Sequence, residues 1–432
     1  MKTIPLSLLS ICFLLCHQSL FASVEIAVTT DRETALYQVG ETVEFLIEVK
    51  DSEGEPVNQS LHAITSYDGG KMVFSEQDLD YTGKPLRVRG TLKMPGFLRC
   101  EVSFKQEGKT YKGIGSAGFD LLKVQSVTPE PDDFIAFWES GRKRLAAIPV
   151  DPQLKHLPDQ SDELQDSYEI AFANLDGGRI YGYLSVPKGR TGPFPAYVHI
   201  ASAGVGVPPK PESSRAAKDG VIVLNMSIHN LELGQDPEIY RQLSAEGGGL
   251  HNYYWIGAPD REAFYFRKVI LGLDRAITYL HDRPDFNKKN LVVYGGSQGG
   301  GLTLILSGFN PHITAAVARV PALCDHWGVK AGRRSGWPRI VTYGAKQNPP
   351  EPYFDMARYY DAVHFAKRIR IPIIMEVGFV DTTIAPTSMM AAYNAITAEK
   401  QIVYGPLGGH FSTSDEMKKL QSAFINQHLG LE

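Results

Sequence analysis

Residues 291–301 read LVVYGGSQGGG, and this stretch decides the fold of the chain. Four apolar or aromatic residues predict a short buried strand, and the apolar run that follows the glycines predicts a helix. Ser297 lies between them at the centre of a Gly-x-Ser-x-Gly pattern. Glycines have no Cβ, so the strand and the helix can approach closely and leave the serine hydroxyl exposed on a strained turn. The pattern predicts a nucleophilic serine, and a glycine-rich turn with a solvent-exposed serine is the alternative.

Strand and helix patterns alternate around this stretch. Strands are predicted at 196–201, 221–225, 291–294, 315–320, 371–377 and 401–404. Helices are predicted at 262–281, 299–306, 356–368, 386–396 and 414–428. Apolar strands that alternate with helices indicate a mostly parallel sheet with helices on both faces. Together with the serine turn, this arrangement predicts an α/β-hydrolase domain over residues 126–432.

The preceding segment has a different periodicity. Apolar Leu98, Cys100 and Val102 alternate with polar Arg99 and Glu101, and turn-forming residues separate several such runs. A period of two at this spacing predicts a small β-sandwich of the immunoglobulin-like type over residues 23–125. Cys100 is in phase with the apolar face and is predicted to lie in its core. No set of catalytic residue types occurs here, so this domain is predicted to position, cover or bind.

The N-terminus predicts export. Lys2, an apolar segment at 8–15 and a small residue at Ala22 form a secretory signal peptide over residues 1–22. The apolar segment is too short for a stable membrane span. We therefore expect a periplasmic or secreted protein. Lipidation at Cys16 is the weaker alternative, because Leu15 before it is bulkier than such a site normally allows.

Composition excludes several classes of function. A formal charge of −4 over 432 residues gives no general attraction to nucleic acid or to an anionic membrane. Outside the signal peptide only Cys100 and Cys324 remain, and we expect two buried thiols rather than a disulfide. No metal-binding or phosphate-binding motif stands out, so no metal or other cofactor is expected.

A serine hydroxyl needs a histidine base that a carboxylate orients. In α/β-hydrolases the acid and then the histidine follow the serine, each just after a strand. Asp381 follows the strand predicted at 371–377, and His410 follows the strand predicted at 401–404. These two residues are therefore the predicted partners of Ser297.

The tetrahedral oxyanion needs two backbone donors. One is predicted to be the amide of Gln298, the residue after the serine. The other is predicted on the loop 202–204, at the amide of Ala203.

The sequence gives weaker indications of a role for several further polar and aromatic residues. Alternative candidates for the catalytic acid and base occur in or near a helix pattern and are predicted to be solvated or structural: Asp355, Asp361 and His364. One group could form a sugar subsite or pack a lid on the core: His251, Tyr253, Tyr254 and Trp255. A basic run is predicted to be a solvated face, with binding of acidic sugars as the alternative: Arg333, Arg334 and Arg339.

From about residue 131 to the C-terminus the chain resembles the acetyl xylan esterase and cephalosporin C deacetylase family of carbohydrate esterases. The similar segments are DDFIAFW at 132–138, GGRIYGY at 177–183, GGSQGGG at 295–301, VPALCD at 320–325, VGFVD at 377–381 and AAYN at 391–394. The resemblance implies Ser297, Asp381 and His410 as the triad and removal of small acyl groups from sugars. It also implies a ring-like homo-oligomer.

Three positions depart from the family pattern. Leu233 replaces the arginine of an Arg-Gly-Gln motif, Ala203 replaces an aromatic residue on the oxyanion loop, and Phe411 replaces a glutamate after the histidine. These changes spare the triad and alter the pocket wall.

The sequence therefore predicts a secreted serine esterase that removes acetyl or other small acyl groups from plant-type polysaccharides or oligosaccharides through an acyl-enzyme. A serine peptidase or aryl esterase on the same fold is one alternative. A non-catalytic protein that binds glycans is the other, and the intact triad argues against it.

Overall fold

The computed structural model describes residues 24–206, 219–334, 336–342 and 350–431. The predicted signal peptide at 1–22, with Cys16, lies outside these residues. Within the described ranges, no helix combines the length and apolar character needed to cross a bilayer.

The N-terminal strands form two sheets that share one core. The strands are β1 (Glu25–Thr30), β2 (Leu36–Tyr37), β3 (Val43–Lys50), β4 (Gln59–Tyr67), β5 (Val73–Tyr81), β6 (Leu86–Gly90), β7 (Gly96–Gln106) and β8 (Lys109–Phe119). The sheet orders are β1-β3-β6 and β2-β8-β7-β4-β5, and every pair is antiparallel except β2 with β8. Phe45 of one sheet and Leu61 and Cys100 of the other belong to the same buried cluster. Cys100 is a buried free thiol, and so is Cys324 in the second part of the chain.

A nine-stranded sheet organises the rest of the described chain. Its strands are β9 (Gln153–His156), β10 (Gln165–Ala173), β11 (Arg179–Pro187), β12 (Phe194–Ile200), β13 (Ile222–Met226), β14 (Phe286–Gly296), β15 (Ala315–Arg319), β16 (Ile373–Gly378) and β17 (Lys400–Gly405). The order is β17-β16-β15-β14-β12-β13-β11-β10-β9. Strands from β17 to β13 are parallel, and β11, β10 and β9 continue the sheet in antiparallel fashion.

Helices cover both faces of this sheet. They are α1 (Phe134–Ala146), α2 (Pro237–Ser244), α3 (Tyr265–Asp282), α4 (Gln298–Phe309), α5 (Glu351–Tyr359), α6 (Ala362–Ala366), α7 (Pro386–Ala395) and α8 (Asp415–Leu429). Successive strand residues point to opposite faces. Val293 accordingly joins the large core with α3 and α4, and Val292 joins the core beneath Met417 and Phe424 of α8. The predicted mostly parallel sheet with helices on both faces is confirmed.

The helix predicted at 356–368 is two helices. α5 ends at Tyr359, and α6 begins after Asp361, whose carboxylate accepts a hydrogen bond from Val363 N at 3.0 Å. Asp361 caps the second helix, because its carboxylate satisfies an amide that has no partner within that helix.

The N-terminal sheets pack directly against the second part of the chain. The rings of Phe97 on β7 and Phe379 after β16 lie 4.9 Å apart. Arg99, two residues further along β7, is completely buried. The polar face of β7 is therefore covered by protein at Arg99, whereas Glu101 on the same face is exposed. The boundary predicted at residue 125 stays a prediction.

Candidate active site

Ser297 sits on the strained turn that the sequence predicts. β14 ends at Gly296, α4 begins at Gln298, and Ser297 has φ 57° and ψ −122°. A positive φ is rare for a residue with a Cβ and indicates strain that the surroundings maintain. A Cβ at Gly295 would lie 2.3 Å from the carbonyl oxygen of Gly299, and a Cβ at Gly299 would lie 2.3 Å from that of Ile200. The glycines are thus required by close backbone contacts.

Three predicted residues lie in one hydrogen-bonded chain. His410 Nε2 lies 2.9 Å from Ser297 Oγ, and His410 Nδ1 lies 2.8 Å from Asp381 Oδ2. Asp381 is completely buried, and the His410 side chain is 6% exposed. The geometry suits proton transfer from the serine to Nε2, because the carboxylate holds the proton on Nδ1.

The loop that carries Asp381 is fixed by backbone donors. Asp381 Oδ1 accepts hydrogen bonds from Thr383 N at 2.7 Å and Ile384 N at 2.8 Å, which leaves Oδ2 for His410. Arg99 Nη2 donates to the carbonyl oxygen of Asp381 at 2.7 Å. Both the carboxylate and the main chain of Asp381 are therefore held in place.

The histidine loop is tied to the acid loop and to the sheet. Phe379 N donates to the carbonyl of Gly405 at 2.9 Å, and Val380 N donates to that of Gly408 at 3.1 Å. Beneath them, Arg319 Nε binds the buried carboxylate of Glu376 at 2.8 Å. The same guanidinium also hydrogen-bonds to Thr413 Oγ1, three residues beyond His410.

The loop after β12 is bound to the serine turn. Ser202 Oγ donates to the carbonyl of Gly296 at 2.9 Å, which places the backbone of Ala203 beside the turn. In the described residues the amide of Ala203 donates no hydrogen bond. Gln298 is the first residue of α4, where amides have no partner within the helix. The oxyanion role of both amides stays a prediction.

Tyr253 connects these two elements, a role that the sequence did not assign. Its hydroxyl accepts from Gly204 N at 3.3 Å and donates to Gln298 Oε1 at 2.6 Å. His229 supports the same loop, with Nε2 at 2.8 Å from the carbonyl of Gly204 and Nδ1 at 2.6 Å from Tyr265 Oη. Burial lowers the pKa of His229, which favours its neutral form. A cavity of about 290 Å³ lies between the loop and His229.

The aromatic segment after the glycines packs inward. Tyr253 is buried, the ring of Tyr254 lies 5.2 Å from that of Trp337, and the ring of Trp255 lies 5.8 Å from that of Tyr353. These contacts favour the packing interpretation. A sugar subsite here stays a prediction.

The rivals for the acid and the base have other roles. Asp361 is buried and binds the amides of Asp325 at 2.9 Å and His326 at 2.7 Å. His364 is buried in α6, and Asp355 is exposed and lies 3.3 Å from Arg358. None of the three hydrogen-bonds to Ser297 within the described residues.

The basic run is not a uniformly solvated face, and this prediction was wrong for one residue. Arg333 is buried, forms an ion pair with Asp325 and donates to the carbonyl of Gln125 at 2.7 Å. Asp325 lies eight residues before Arg333 and Gln125 lies 208 residues before it, so the charge of the basic run alone could not reveal these contacts. Arg334 is half-buried and Arg339 is exposed.

The structure also places the three residues that depart from the family pattern. Leu233 is buried, and its amide donates to Glu169 Oε1 at 2.9 Å. Ala203 is exposed on its loop. Phe411 is 94% exposed, and its ring lies 4.9 Å from that of His410. An exposed aromatic ring therefore stands beside the candidate base.

In the part of the chain that the structure describes, no group of three or more His, Cys, Asp or Glu side chains is arranged to hold a metal ion. The hydrogen-bonded chain of Ser297, His410 and Asp381 is an arrangement with recognisable chemistry.

Comparison with known proteins agrees with this geometry. The model of the acetyl xylan esterase family matches residues 119–428. The chain belongs to the acetyl xylan esterase family. Acetyl esterase Axe7A of Xylanibacter ruminicola is 34% identical over 334 residues, which cover 77% of this chain and 75% of that protein. Membership makes the protein a carboxylic ester hydrolase.

Solved structures of this family share the fold. Acetyl xylan esterase 1 from Thermoanaerobacterium sp. JW/SL YS485 has a TM-score of 0.61 at 23% identity, covering 71% of this chain and 97% of that one. The acetyl xylan esterase from Paenibacillus sp. R4 has a TM-score of 0.61 at 23% identity, covering 71% and 98%. The α/β-hydrolase prediction is confirmed. The matched family segment begins at residue 119, after Arg99 and most of the N-terminal sheets.

Proposed function

We propose that this protein is a serine esterase that removes acetyl groups from acetylated xylan or its oligosaccharides through an acyl-enzyme. The observation that carries the proposal is the contact of His410 with both Ser297 Oγ at 2.9 Å and Asp381 Oδ2 at 2.8 Å. Membership of the acetyl xylan esterase family supports the substrate class.

In the proposed first step, Ser297 Oγ attacks the acetyl carbonyl while His410 Nε2 takes the hydroxyl proton. The negative charge that develops on the carbonyl oxygen is stabilised by the amides of Gln298 and Ala203. His410 then donates its proton to the sugar oxygen, and the C–O bond of the ester breaks. The sugar hydroxyl leaves, and the acetyl group remains on Ser297.

In the second step a water molecule attacks the acetyl carbonyl. His410 takes a proton from this water and returns it to Ser297 Oγ as acetate leaves. Asp381 stays ionised throughout and stabilises the imidazolium that forms twice in the cycle.

The experiment is release of acetate from acetylated xylo-oligosaccharides and from 4-nitrophenyl acetate. The wild type should hydrolyse both, and Ser297→Ala should abolish both activities. Hydrolysis of the nitrophenyl ester alone would favour an aryl esterase, and cleavage of a peptide substrate would favour a peptidase. Activity that survives Ser297→Ala would eliminate Ser297 as the nucleophile.

The export of the protein is part of this proposal, because a polysaccharide substrate lies outside the cell. Residues 1–22 have the features of a signal peptide, and they support it. Expression of the full chain in a bacterium should give a processed form that begins near residue 23 outside the cytoplasm. An unprocessed cytoplasmic product would contradict export.

A further inference from the structure

A cavity of about 780 Å³ lies where the N-terminal sheets meet the second part of the chain. Its walls include Gly69 and Lys71 from the N-terminal part and Arg334 and Arg339 from the second part. The volume falls within the range of about 300 to 1,000 Å³ that is typical of small-molecule sites. The cavity is therefore large enough for a ligand of the size of a sugar.

Two of the cationic groups at this cavity are already neutralised. Lys330 Nζ lies 3.1 Å from Glu351 Oε1. Arg333 is paired with Asp325. Glu351 is the acidic residue among the described residues of the wall, and its charge is already paired with that of Lys330.

Three further cationic side chains are not neutralised in this way. Within the described ranges, no carboxylate lies within ion-pair distance of Lys71, Arg334 or Arg339. Burial, and then the charges of Arg99 and Arg339, lower the pKa of Arg334. The charges of Asp68 and Glu101 offset part of this repulsion, and an anion placed among the cations would offset more of it.

Arg99 adds a buried charge behind the cavity wall. A Cβ at Gly69 would lie 3.1 Å from Arg99 Cδ, so the glycine backbone separates this arginine from the cavity. Arg99 Nε and Nη1 are buried and have no hydrogen-bond partner among the described residues. Arg99 Nη1 lies 4.0 Å from Glu101 Oε1, and Asp68 lies near the same guanidinium, so part of this charge is balanced and the rest adds to the positive potential of the cavity.

The walls also offer apolar surface, from Val329, Val341 and Phe354. A mixture of apolar surface and fixed cations suits a ligand with a ring and a carboxylate better than it suits a bare inorganic anion. The chemistry of the walls fits an organic acid, and the proposed glycan substrate narrows this acid to a sugar acid.

The segment 336–342 joins this cavity to the candidate active site. Trp337 N donates to the carbonyl of Thr383 at 3.2 Å, and Leu323 N donates to the carbonyl of Trp337 at 3.3 Å. Thr383 N in turn donates to Asp381 Oδ1 at 2.7 Å. The cavity and the acid loop are thus connected through a few main-chain hydrogen bonds.

We propose that the cavity binds the carboxylate of a uronic acid substituent on the polysaccharide whose ester is hydrolysed at Ser297, with Arg334, Arg339 and Lys71 as its partners. The inference rests on the proposed function, because it names the acidic character of the same substrate. It makes the protein selective for acetylated xylan chains that carry acidic side groups.

The first test compares two acetylated xylo-oligosaccharides of equal length, one with and one without a glucuronic acid substituent. Arg334→Gln with Arg339→Gln should lower kcat/KM for the acidic substrate by about tenfold, through KM, because charge-assisted hydrogen bonds to the carboxylate are lost. Hydrolysis of the neutral oligosaccharide and of 4-nitrophenyl acetate should not change. Equal effects on the acidic and neutral substrates would overturn the proposal.

The matched control removes two exposed cations elsewhere, with Lys105→Gln and Lys112→Gln on the N-terminal sheet. This control should retain the preference for the acidic substrate. If it loses the preference as fully as the arginine variant does, overall charge is responsible and the cavity is not the site. Lys71→Gln alone should give a smaller loss of kcat/KM for the acidic substrate. This single variant replaces the double variant in the test if the double variant does not fold.

A binding measurement separates this inference from the proposed chemistry. Ser297→Ala should bind a non-acetylated xylo-oligosaccharide that carries glucuronic acid more tightly than its neutral counterpart, and the arginine substitutions should remove the difference. This result supports the cavity even if no saccharide is deacetylated by the wild type. Equal binding of the two oligosaccharides, or binding of inorganic phosphate alone, would overturn it.

Discussion

Arg99 Nη2 lies 2.7 Å from the carbonyl oxygen of Asp381, so a strand of the N-terminal sheets holds the main chain of the candidate catalytic acid. The same nitrogen lies 3.4 Å from the carbonyl oxygen of Phe379. Arg99 lies outside the matched family segment 119–428, and Asp381 lies inside it. The N-terminal part of the chain is therefore in position to influence the chemistry of the second part.

Replacement of Arg99 should slow turnover. Arg99→Met leaves two carbonyls without a donor and frees the acid loop, and a displacement of about 1 Å can reduce a rate about a hundredfold. We expect kcat for 4-nitrophenyl acetate to fall at least about tenfold with little change in KM. Arg99→Lys, which keeps the charge and one donor, should recover part of the loss.

Steady-state kinetics and thermal unfolding of each variant check this prediction. Arg89→Met is the matched control, because Arg89 is an exposed arginine on β6 that binds Glu44 at 2.5 Å. The control should keep the wild-type kcat. A fully active Arg99→Met, or a loss of kcat shared equally with the control, would contradict the positioning role.

Asp68 should make stability depend on pH. It is completely buried, its Oδ2 accepts a hydrogen bond from Thr387 N at 3.3 Å, and burial raises its pKa to about 6 despite the nearby charge of Arg99. The folded state therefore holds this proton more tightly than the unfolded state, whose pKa is 3.8. The contribution to stability is full below pH 3.8 and is lost as the pH rises to about 6.

The comparison is chemical denaturation of the wild type and Asp68→Asn between pH 4 and pH 7. Over this range the wild type should lose roughly 2 to 3 kcal/mol of unfolding free energy relative to the variant, since each unit of pKa shift corresponds to about 1.4 kcal/mol. Parallel stability curves for the two proteins would show that Asp68 has an ordinary pKa.

Tyr253 should matter for the oxyanion loop. Tyr253→Phe removes the hydroxyl between Gly204 N and Gln298 Oε1, and an unpaired buried polar group destabilises the fold by about 1 to 3 kcal/mol. We expect a lower kcat and an unchanged KM for the nitrophenyl ester. Tyr254→Phe is the control, because that hydroxyl donates to Asn252 and does not bridge to Gln298. Equal kinetics of the two variants would exclude a special role for Tyr253.

The elbow glycines should not tolerate a side chain. A Cβ at Gly299 would lie 2.3 Å from the carbonyl oxygen of Ile200, so Gly299→Ala must displace β12 or α4. We expect a loss of unfolding free energy of more than about 3 kcal/mol, with loss of activity. A Cβ at Gly409 would have no heavy atom within 4 Å, so Gly409→Ala should fold normally. A stable Gly299→Ala would contradict this close packing.

The serine turn was predictable because the residues that determine it are neighbours in the sequence. The glycines, the preceding strand and the following helix lie within one short stretch, and Asp381 and His410 follow strands in the order that the fold requires. The division of the helix at Asp361 was missed, although an aspartate before a helical turn is a recognisable cap.

The contacts between distant segments were not predictable. Alternation along β7 places Arg99 on the polar face, and Arg99 is buried because the acid loop packs on it. Arg333 belongs to a basic run in the sequence, and its contact with the carbonyl of Gln125, 208 residues away, forms only once the chain has folded. Periodicity indicates which face of a strand is polar, but it does not indicate what covers that face.

The central claim is that Ser297 carries the acetyl group during turnover. The most direct measurement is rapid acid quenching of the enzyme during hydrolysis of 4-nitrophenyl acetate, followed by mass spectrometry of its peptides. We predict one acetyl group, on Ser297, that decays as acetate is released and that is absent from Ser297→Ala. An acetyl group that forms and decays at the turnover rate on another residue, or acetate release by Ser297→Ala at the wild-type rate, would contradict the claim.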